Sequence, residues 1–180
     1  MQNNLPIIEV RNGFNLRPFK HSDAEDYQSI LKHPSVAPFI PSSCIPSSTS
    51  DAIREIFFIQ SEMKVRRKFL WALENQNGQL IGSAGIETWN EWHKRAEIVY
   101  ELHPDYWGQG LMTEAIKRVM EYAYFTLKAV RIEAFTLVNN PASTALLQRL
   151  HFTQEAVLSK YRFFNGQHVD IIIYAHTQAN

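Results

Sequence analysis

The chain has 180 residues, with 18 Lys and Arg against 18 Asp and Glu, a net charge of +0 and a pI near 7.1. That balance excludes a whole-protein field steering the chain to nucleic acid or anionic lipid. A content of 45% hydrophobic and 20% charged residues fits a globular protein and excludes a disordered or membrane-embedded one. At this length one domain, 1–180, with a sizeable core is expected. No apolar stretch approaches the length of a bilayer span, and Met1-Gln2-Asn3-Asn4 lacks the charged start and apolar core of a signal peptide, so the expectation is a cytoplasmic protein with no membrane partner. The single Cys44 cannot form an internal disulfide and reads as a bystander in a loop.

In chain order, Phe14 to Phe19 alternates apolar and polar residues and predicts a short strand. Ser22-Asp23-Ala24-Glu25 has the form of a capping box, which predicts a helix from about Ser22. Four prolines make Pro34 to Ser48 a loop. Ser50 can cap a second helix, in which Ile53, Ile56, Phe57, Gln60 and Met63 share a face. Its end, Lys64-Val65-Arg66-Arg67-Lys68, is read as a solvated terminus whose cations complement the helix dipole. Phe69 to Glu74, the turn Asn75 to Gly78, and Gln79 to Glu87 read as strand, turn, strand, with Asn77-Gly78 as the hairpin signal. Trp89 to Lys94 is a second turn and Arg95 to Leu102 the next strand. A central helix is expected from about Gly108 to Leu127, and a strand over Val130 to Val138. Asn140 caps a helix with Pro141 at its first position, and Gln154 to Phe164 with His168 to Ala175 form a hairpin around Asn165-Gly166. These elements predict an α+β, or mixed α/β, domain with a mixed sheet flanked by helices.

The chain is organised around Tyr106-Trp107-Gly108-Gln109-Gly110-Leu111-Met112-Thr113, where a strand leads through a glycine turn into a helix. Gly108 and Gly110 remove side chains where backbone takes positive φ or approaches a ligand. N–H groups of the turn and of the first helical turn then make an anion site suited to phosphate. The segment is neither a P-loop nor a dinucleotide GxGxxG fingerprint. Read locally, a pyrophosphate cradle and a purely structural turn both remain open.

A second block, Asn139-Asn140-Pro141-Ala142-Ser143 through Arg149-Leu150-His151-Phe152, widens the pattern. Together, from about residue 14 to 176, the two motifs resemble the GNAT superfamily of N-acetyltransferases, in its RimJ/RimL-like branch. The resemblance implies a GNAT-like, mostly antiparallel sheet, with acetyl-CoA as cosubstrate and no metal. It implies that the cofactor is held by Val99, Tyr100, Glu101 and Leu102 on the strand, by Trp107, Gly108, Gln109, Gly110, Leu111, Met112 and Thr113 in the turn, and by Asn140, Ser143 and Arg149 beyond it. Arg149 is placed near the 3′-phosphate of coenzyme A. Dimers are common in the family, and a homodimer is the corresponding expectation here. Trp107, Met112 and His151 depart from the usual pattern, His151 standing where the family has glycine.

Acetyl transfer from a thioester requires a neutral amine, donors for the carbonyl oxygen and a proton for the leaving thiolate. A protein α-amine, with a pKa of about 7.7–8.0, loses its proton more readily than a lysine at about 10.4. Glu97, in a stretch similar to the strand that carries the base in several members, and Glu87, at the end of the preceding strand, are the candidate bases; a base elsewhere is the remaining option. Ser143 is the candidate proton donor to sulfur, with Tyr100, Tyr106 and Tyr161 as alternatives. The resemblance points to a ribosomal-protein-type N-terminal amine as acceptor. A small amine (polyamine, amino acid or aminoglycoside) is the runner-up, and a coenzyme A-binding module without turnover is the non-enzymatic alternative. Abundant acidic residues in the cleft would favour a polycation.

Overall fold

A computed structural model describes residues 5–178, so the Met1 to Asn4 stretch read above lies outside the described residues. Eight strands form one sheet: β1 (Ile8–Arg11), β2 (Phe14–Arg17), β3 (Phe69–Glu74), β4 (Leu80–Asn90), β5 (Arg95–Leu102), β6 (Arg131–Leu137), β7 (Thr153–Phe164) and β8 (Gln167–Thr177). Their order is β1-β2-β3-β4-β5-β6-β8-β7, antiparallel except for β5 and β6. The helices are α1 (Ala24–Lys32), α2 (Thr49–Lys64), α3 (Leu111–Glu121) and α4 (Pro141–Arg149). This is the mixed, mostly antiparallel α+β arrangement that the sequence predicts.

Several local expectations shift for identifiable reasons. The strand at Phe14 is half of a hairpin whose other half, β1, went unread; Asn12 and Gly13 make its turn at φ 48° and 82°. The first helix is set by Asp23 instead of Ser22, because Asp23 is drawn into the core by Arg17 at 2.7 and 2.8 Å and accepts from the Lys20 N–H. The second helix is capped by Ser48 instead of Ser50. Ser48 Oγ accepts from the Asp51 N–H (3.1 Å) while Asp51 accepts from the Ser48 N–H (3.0 Å), a reciprocal box that Ser50 does not make. The α3 segment ends in a π-helical turn, Tyr122–Thr126, in which the Leu127 N–H reaches the Tyr122 carbonyl at 3.2 Å.

The two faces of the sheet are separated by strand alternation. Trp71, Ala84 and Tyr100 are in register across β3, β4 and β5, and Trp71 packs against Tyr122 just beyond α3. Their neighbours Ser83 and Glu101 are also in register, on the opposite face. Buried residues on both sides, Ile30 and Ile59 from α1 and α2 and Ile116 and Val119 from α3, close the core around the sheet. A bulge between Ile86 and Thr88 makes Glu87 the extra residue on β4 and brings Thr88 opposite Glu97.

The positioning consequence lies at β5 and β6. Their parallel pairing covers Arg95, Ala96 and Glu97 against Arg131, Ile132 and Glu133, and the register ends there. From Ile98 to Leu102 the edge of β5 faces an open cleft.

Candidate active site

The cleft holds about 1360 Å³ and runs from the Gly108–Gly110 turn along β5 to Phe39 and Pro41 in the loop between α1 and α2. That exceeds the roughly 300–1,000 Å³ of a site for one drug-sized ligand, so a long cofactor and an acceptor fit together. Val99, Tyr100, Glu101, Leu102, Trp107 through Thr113, Asn140, Ser143 and Arg149, all singled out in the sequence, line this one cleft.

At its upper end Gly108 and Gly110 take φ of 74° and 73°, and a Cβ added to either would meet no described atom within 4 Å. Both glycines line the cleft and are held at a backbone angle that a residue with a Cβ adopts only with strain. Gly110 is the N-cap of α3 and no side chain among the described residues caps it, unlike α2 and α4. The first N–H groups of α3 are thus left for an anion, with the helix dipole behind them. Trp107 explains its departure from the family pattern: its Nε1 donates to the Leu102 carbonyl at 2.8 Å and ties the turn to the end of β5. Arg11 donates to the Gln109 carbonyl at 3.0 Å and holds the turn from the other side. Arg149 Nη1 donates to Thr113 Oγ1 at 3.3 Å, which places a cation of α4 beside the first turn of α3.

In the middle of the cleft Tyr100 and Ser143 hydroxyls meet at 2.7 Å. Burial pushes the Tyr100 phenol up to about 12, with the Ser143 hydrogen bond opposing, so at neutral pH it is a protonated hydroxyl. Asn140 acts first as a helix cap, accepting from the Ser143 N–H at 3.1 Å, and that bond fixes where Ser143 points. Of the other tyrosines, Tyr106 lines the same cleft with its hydroxyl accepting from Asn75 at 3.1 Å, and Tyr161 lies parallel to Phe135 on an exposed part of β7.

On the opposite face of β5 the carboxylates separate by environment. Glu87 pairs with Lys68 Nζ at 2.7 Å. Lys68, read from sequence as part of a solvated helix end, is in fact 7% exposed and lines the cleft just ahead of β3. Glu97 carries a raised pKa, chiefly through burial, with Arg162 opposing and Glu87 and Glu133 adding to the rise. Glu101 accepts from Ser83 Oγ, and burial pushes it up to about 7 against the Ser83 bond; Glu87 raises it further and Lys68 lowers it. Sequence reasoning gave Glu101 a place along the cofactor and missed this side-chain environment. Its signal was the strand alternation, which puts residue 101 on the same face as residue 97.

Residue 151 resolves the other departure. His151 takes φ 62°, the left-handed conformation that the family's glycine would adopt. The His151 N–H reaches the Gln148 carbonyl and the Phe152 N–H the Leu147 carbonyl, both at 3.0 Å, which completes a Schellman end to α4 without glycine.

Comparison with known proteins gives this geometry a family. Residues 14–153 match the acetyltransferase (GNAT) domain, and the chain belongs to that family. The uncharacterized N-acetyltransferase YoaA of Bacillus subtilis (strain 168) is 30% identical over 171 residues, 94% of this chain and 96% of that protein. Spermidine N(1)-acetyltransferase of Vibrio cholerae is 25% identical over 126 residues, 70% of this chain and 72% of that one. In fold, the chain superimposes with a TM-score of 0.86 on the RimL ribosomal L7/L12 α-N-protein acetyltransferase in complex with coenzyme A, at 23% identity and covering 96% and 98% of the two chains. The protein is an acetyl-CoA-dependent N-acetyltransferase.

Proposed function

We propose that the acceptor is the N-terminal α-amine of a protein, acetylated directly within one ternary complex by a single domain spanning 1–180. The observation that carries this reading is the charge balance of the acceptor half of the cleft. Glu55, Glu87, Glu97 and Glu101 line it, yet Glu87 is neutralised by Lys68, Arg162 opposes Glu97, and Glu101 sits where burial favours its neutral form. A polycation would meet few unopposed carboxylates there, whereas a peptide with one amine and a mostly neutral tail is suited to it. The fold shared with RimL agrees, and the apolar wall of Phe39, Ile40 and Pro41 offers contact for a peptide side chain.

Bound acetyl-CoA would supply the thioester. The N–H groups of Gly108 to Thr113 hold its pyrophosphate, Arg149 its 3′-phosphate, and the β5 edge from Val99 to Leu102 presents backbone groups to its pantetheine arm. Ser143, backed by Tyr100, protonates the thiolate. Glu97 can relay a proton from the acceptor amine through water, whereas Glu87, held by Lys68, is not available as a base.

Thiol release from acetyl-CoA, followed against ribosomal-protein N-terminal peptides, polyamines, amino acids and aminoglycosides, tests the reading. Turnover confined to the peptides is expected. Preference for spermidine, the substrate in the name of one relative, would replace it with the small-amine reading.

A further inference from the structure

Tyr100 and Glu101 are consecutive residues of β5, so their side chains leave opposite faces of the strand. Tyr100 turns to the α3 and α4 side and meets Ser143. Glu101 turns to the α1 and α2 side, where its cross-strand partner Ser83 donates to its carboxyl. The strand edge between them is the part of β5 that β6 leaves open. A group lying on that edge therefore has a hydroxyl pair on one side and a carboxyl on the other. Acyl transfer needs this division, because the amine loses its proton on one side of the carbonyl while the thiolate gains one on the other. Glu97 shares the face of Glu101 but lies four residues earlier, about 13 Å along the strand. It is about 10 Å along the strand from Tyr100, too far to serve the same carbon without a chain of water.

We propose that the Glu101 carboxylate is the direct proton acceptor for the attacking amine, with Ser83 as its positioning residue. The assignment rests on the acetyltransferase reading, with Ser143 and Tyr100 as the donor pair. The amine nitrogen bonds to the acetyl carbon as the carbon–sulfur bond breaks; the nitrogen's proton passes to a Glu101 carboxylate oxygen, and the sulfur's electron pair takes the Ser143 hydroxyl proton, relayed from Tyr100. Solvent then restores both groups. The charged and titratable groups facing Glu101 are Lys68 ahead of β3, Glu87 of β4 and Tyr27 of α1. Burial and Glu87 raise its pKa, Ser83 and Lys68 lower it, and the outcome of about 7 matches a base that accepts a proton at neutral pH.

The experiment combines isotope-edited infrared spectroscopy of the protein alone with rate profiles. With ¹³C-labelled glutamate, one carboxyl should deprotonate near pH 7, and that signal should vanish in Glu101→Gln. Besides the limb that each acceptor amine's own ionisation imposes, kcat/KM should show an acidic limb near pH 7 whose midpoint is the same for two amines of different pKa. Glu101→Gln should lose the limb and about 10²-fold or more in kcat/KM, the scale of a general base. Its affinity for acetyl-CoA by calorimetry should stay within about threefold, and Glu97→Gln should retain the limb with a smaller loss. Glu101→Asp should keep the limb at a reduced rate, which covers the case in which the Gln variant does not fold. Ser83→Ala should move the limb to higher pH, and Ser83→Thr should restore it. A shared limb, common to both amines, that survives in Glu101→Gln or vanishes in Glu97→Gln overturns the proposal while leaving the acetyltransferase reading intact. Failure of the wild-type protein to bind acetyl-CoA would overturn both.

Discussion

The hydroxyls of Tyr100 and Ser143 lie 2.7 Å apart although 43 residues separate them in the chain, one on the free edge of β5 and the other in the first turn of α4. Asn140 holds Ser143 in place through the helix cap, and burial keeps Tyr100 protonated. A pair of this kind can pass a proton outward and be refilled from behind. Ser143→Ala and Tyr100→Phe should each lower kcat about tenfold with the KM for acetyl-CoA little changed, because either hydroxyl partly substitutes for the other. The double variant should lose about 10³-fold, within the usual range of positioned proton transfer and more than the product of the two single losses, so a double-mutant cycle should show the two hydroxyls to be coupled. Full turnover in Ser143→Ala at saturating acetyl-CoA would remove the donor role.

The glycine turn makes a separate prediction. Gly108 and Gly110 hold positive φ, so alanine at either position costs on the order of 1–2 kcal/mol of local strain. The added carbon meets no described protein atom within 4 Å and both positions line the cleft, so the larger effect should fall on the ligand. Gly108→Ala and Gly110→Ala should weaken acetyl-CoA binding by calorimetry at least tenfold while thermal melts show a modest loss of stability. Arg149→Glu, which leaves the turn intact and places an anion beside Thr113, should raise the acetyl-CoA KM several-fold without changing kcat. Equal affinity in all three would show that the turn is structural.

The features legible in the sequence were those whose cause is local. Gly108-Gln109-Gly110 and Asn140-Pro141-Ala142-Ser143 encode backbone angle and helix capping within a few residues, and the structure shows both where they were expected. What was missed depends on partners distant in the chain. Glu101 owes its environment to burial and to partners far off in the chain, Ser83 across the strand 18 residues away and Lys68 and Glu87 beyond it, and no one of these residues carries that information alone. Lys68 ends a run of cations that looks like any solvated helix terminus. It turns inward because the β4 bulge offers Glu87 to it. The Ser48 cap was mistaken for Ser50 because both are serines near the start of an apolar periodicity, and only the reciprocal bond with Asp51 separates them.

His151 offers a test of backbone strain apart from the chemistry. A residue with a Cβ at φ 62° sits in the left-handed region, where glycine is more stable by about 1 kcal/mol. His151 is exposed and its N–H, which closes α4, would be kept by glycine. His151→Gly should therefore raise stability in urea by up to about 1 kcal/mol and leave kcat/KM unaltered. A loss of stability would mean that the imidazole contributes a contact worth more than the strain.

Glu101 also predicts how stability depends on pH. An acid whose pKa is higher in the folded protein binds its proton more tightly there than in the unfolded chain, so ionising it disfavours the fold. With a reference value of 4.5 and a folded value of about 7, the effect is absent below pH 4.5, grows as pH rises from 4.5 to 7, and is complete above 7. At full extent it destabilises the protein by at most about 3 kcal/mol. Gln cannot ionise and keeps the shape and the hydrogen bond with Ser83. Glu101→Gln should thus match the wild type within about 0.5 kcal/mol near pH 4.5 and exceed it by 1 kcal/mol or more near pH 8, the increment expected from even a partial shift. Urea unfolding at those two pH values measures the difference. If the gap between variant and wild type is the same at both, Glu101 does not titrate near neutrality in the folded protein, and its suitability as a base at that pH is lost with it.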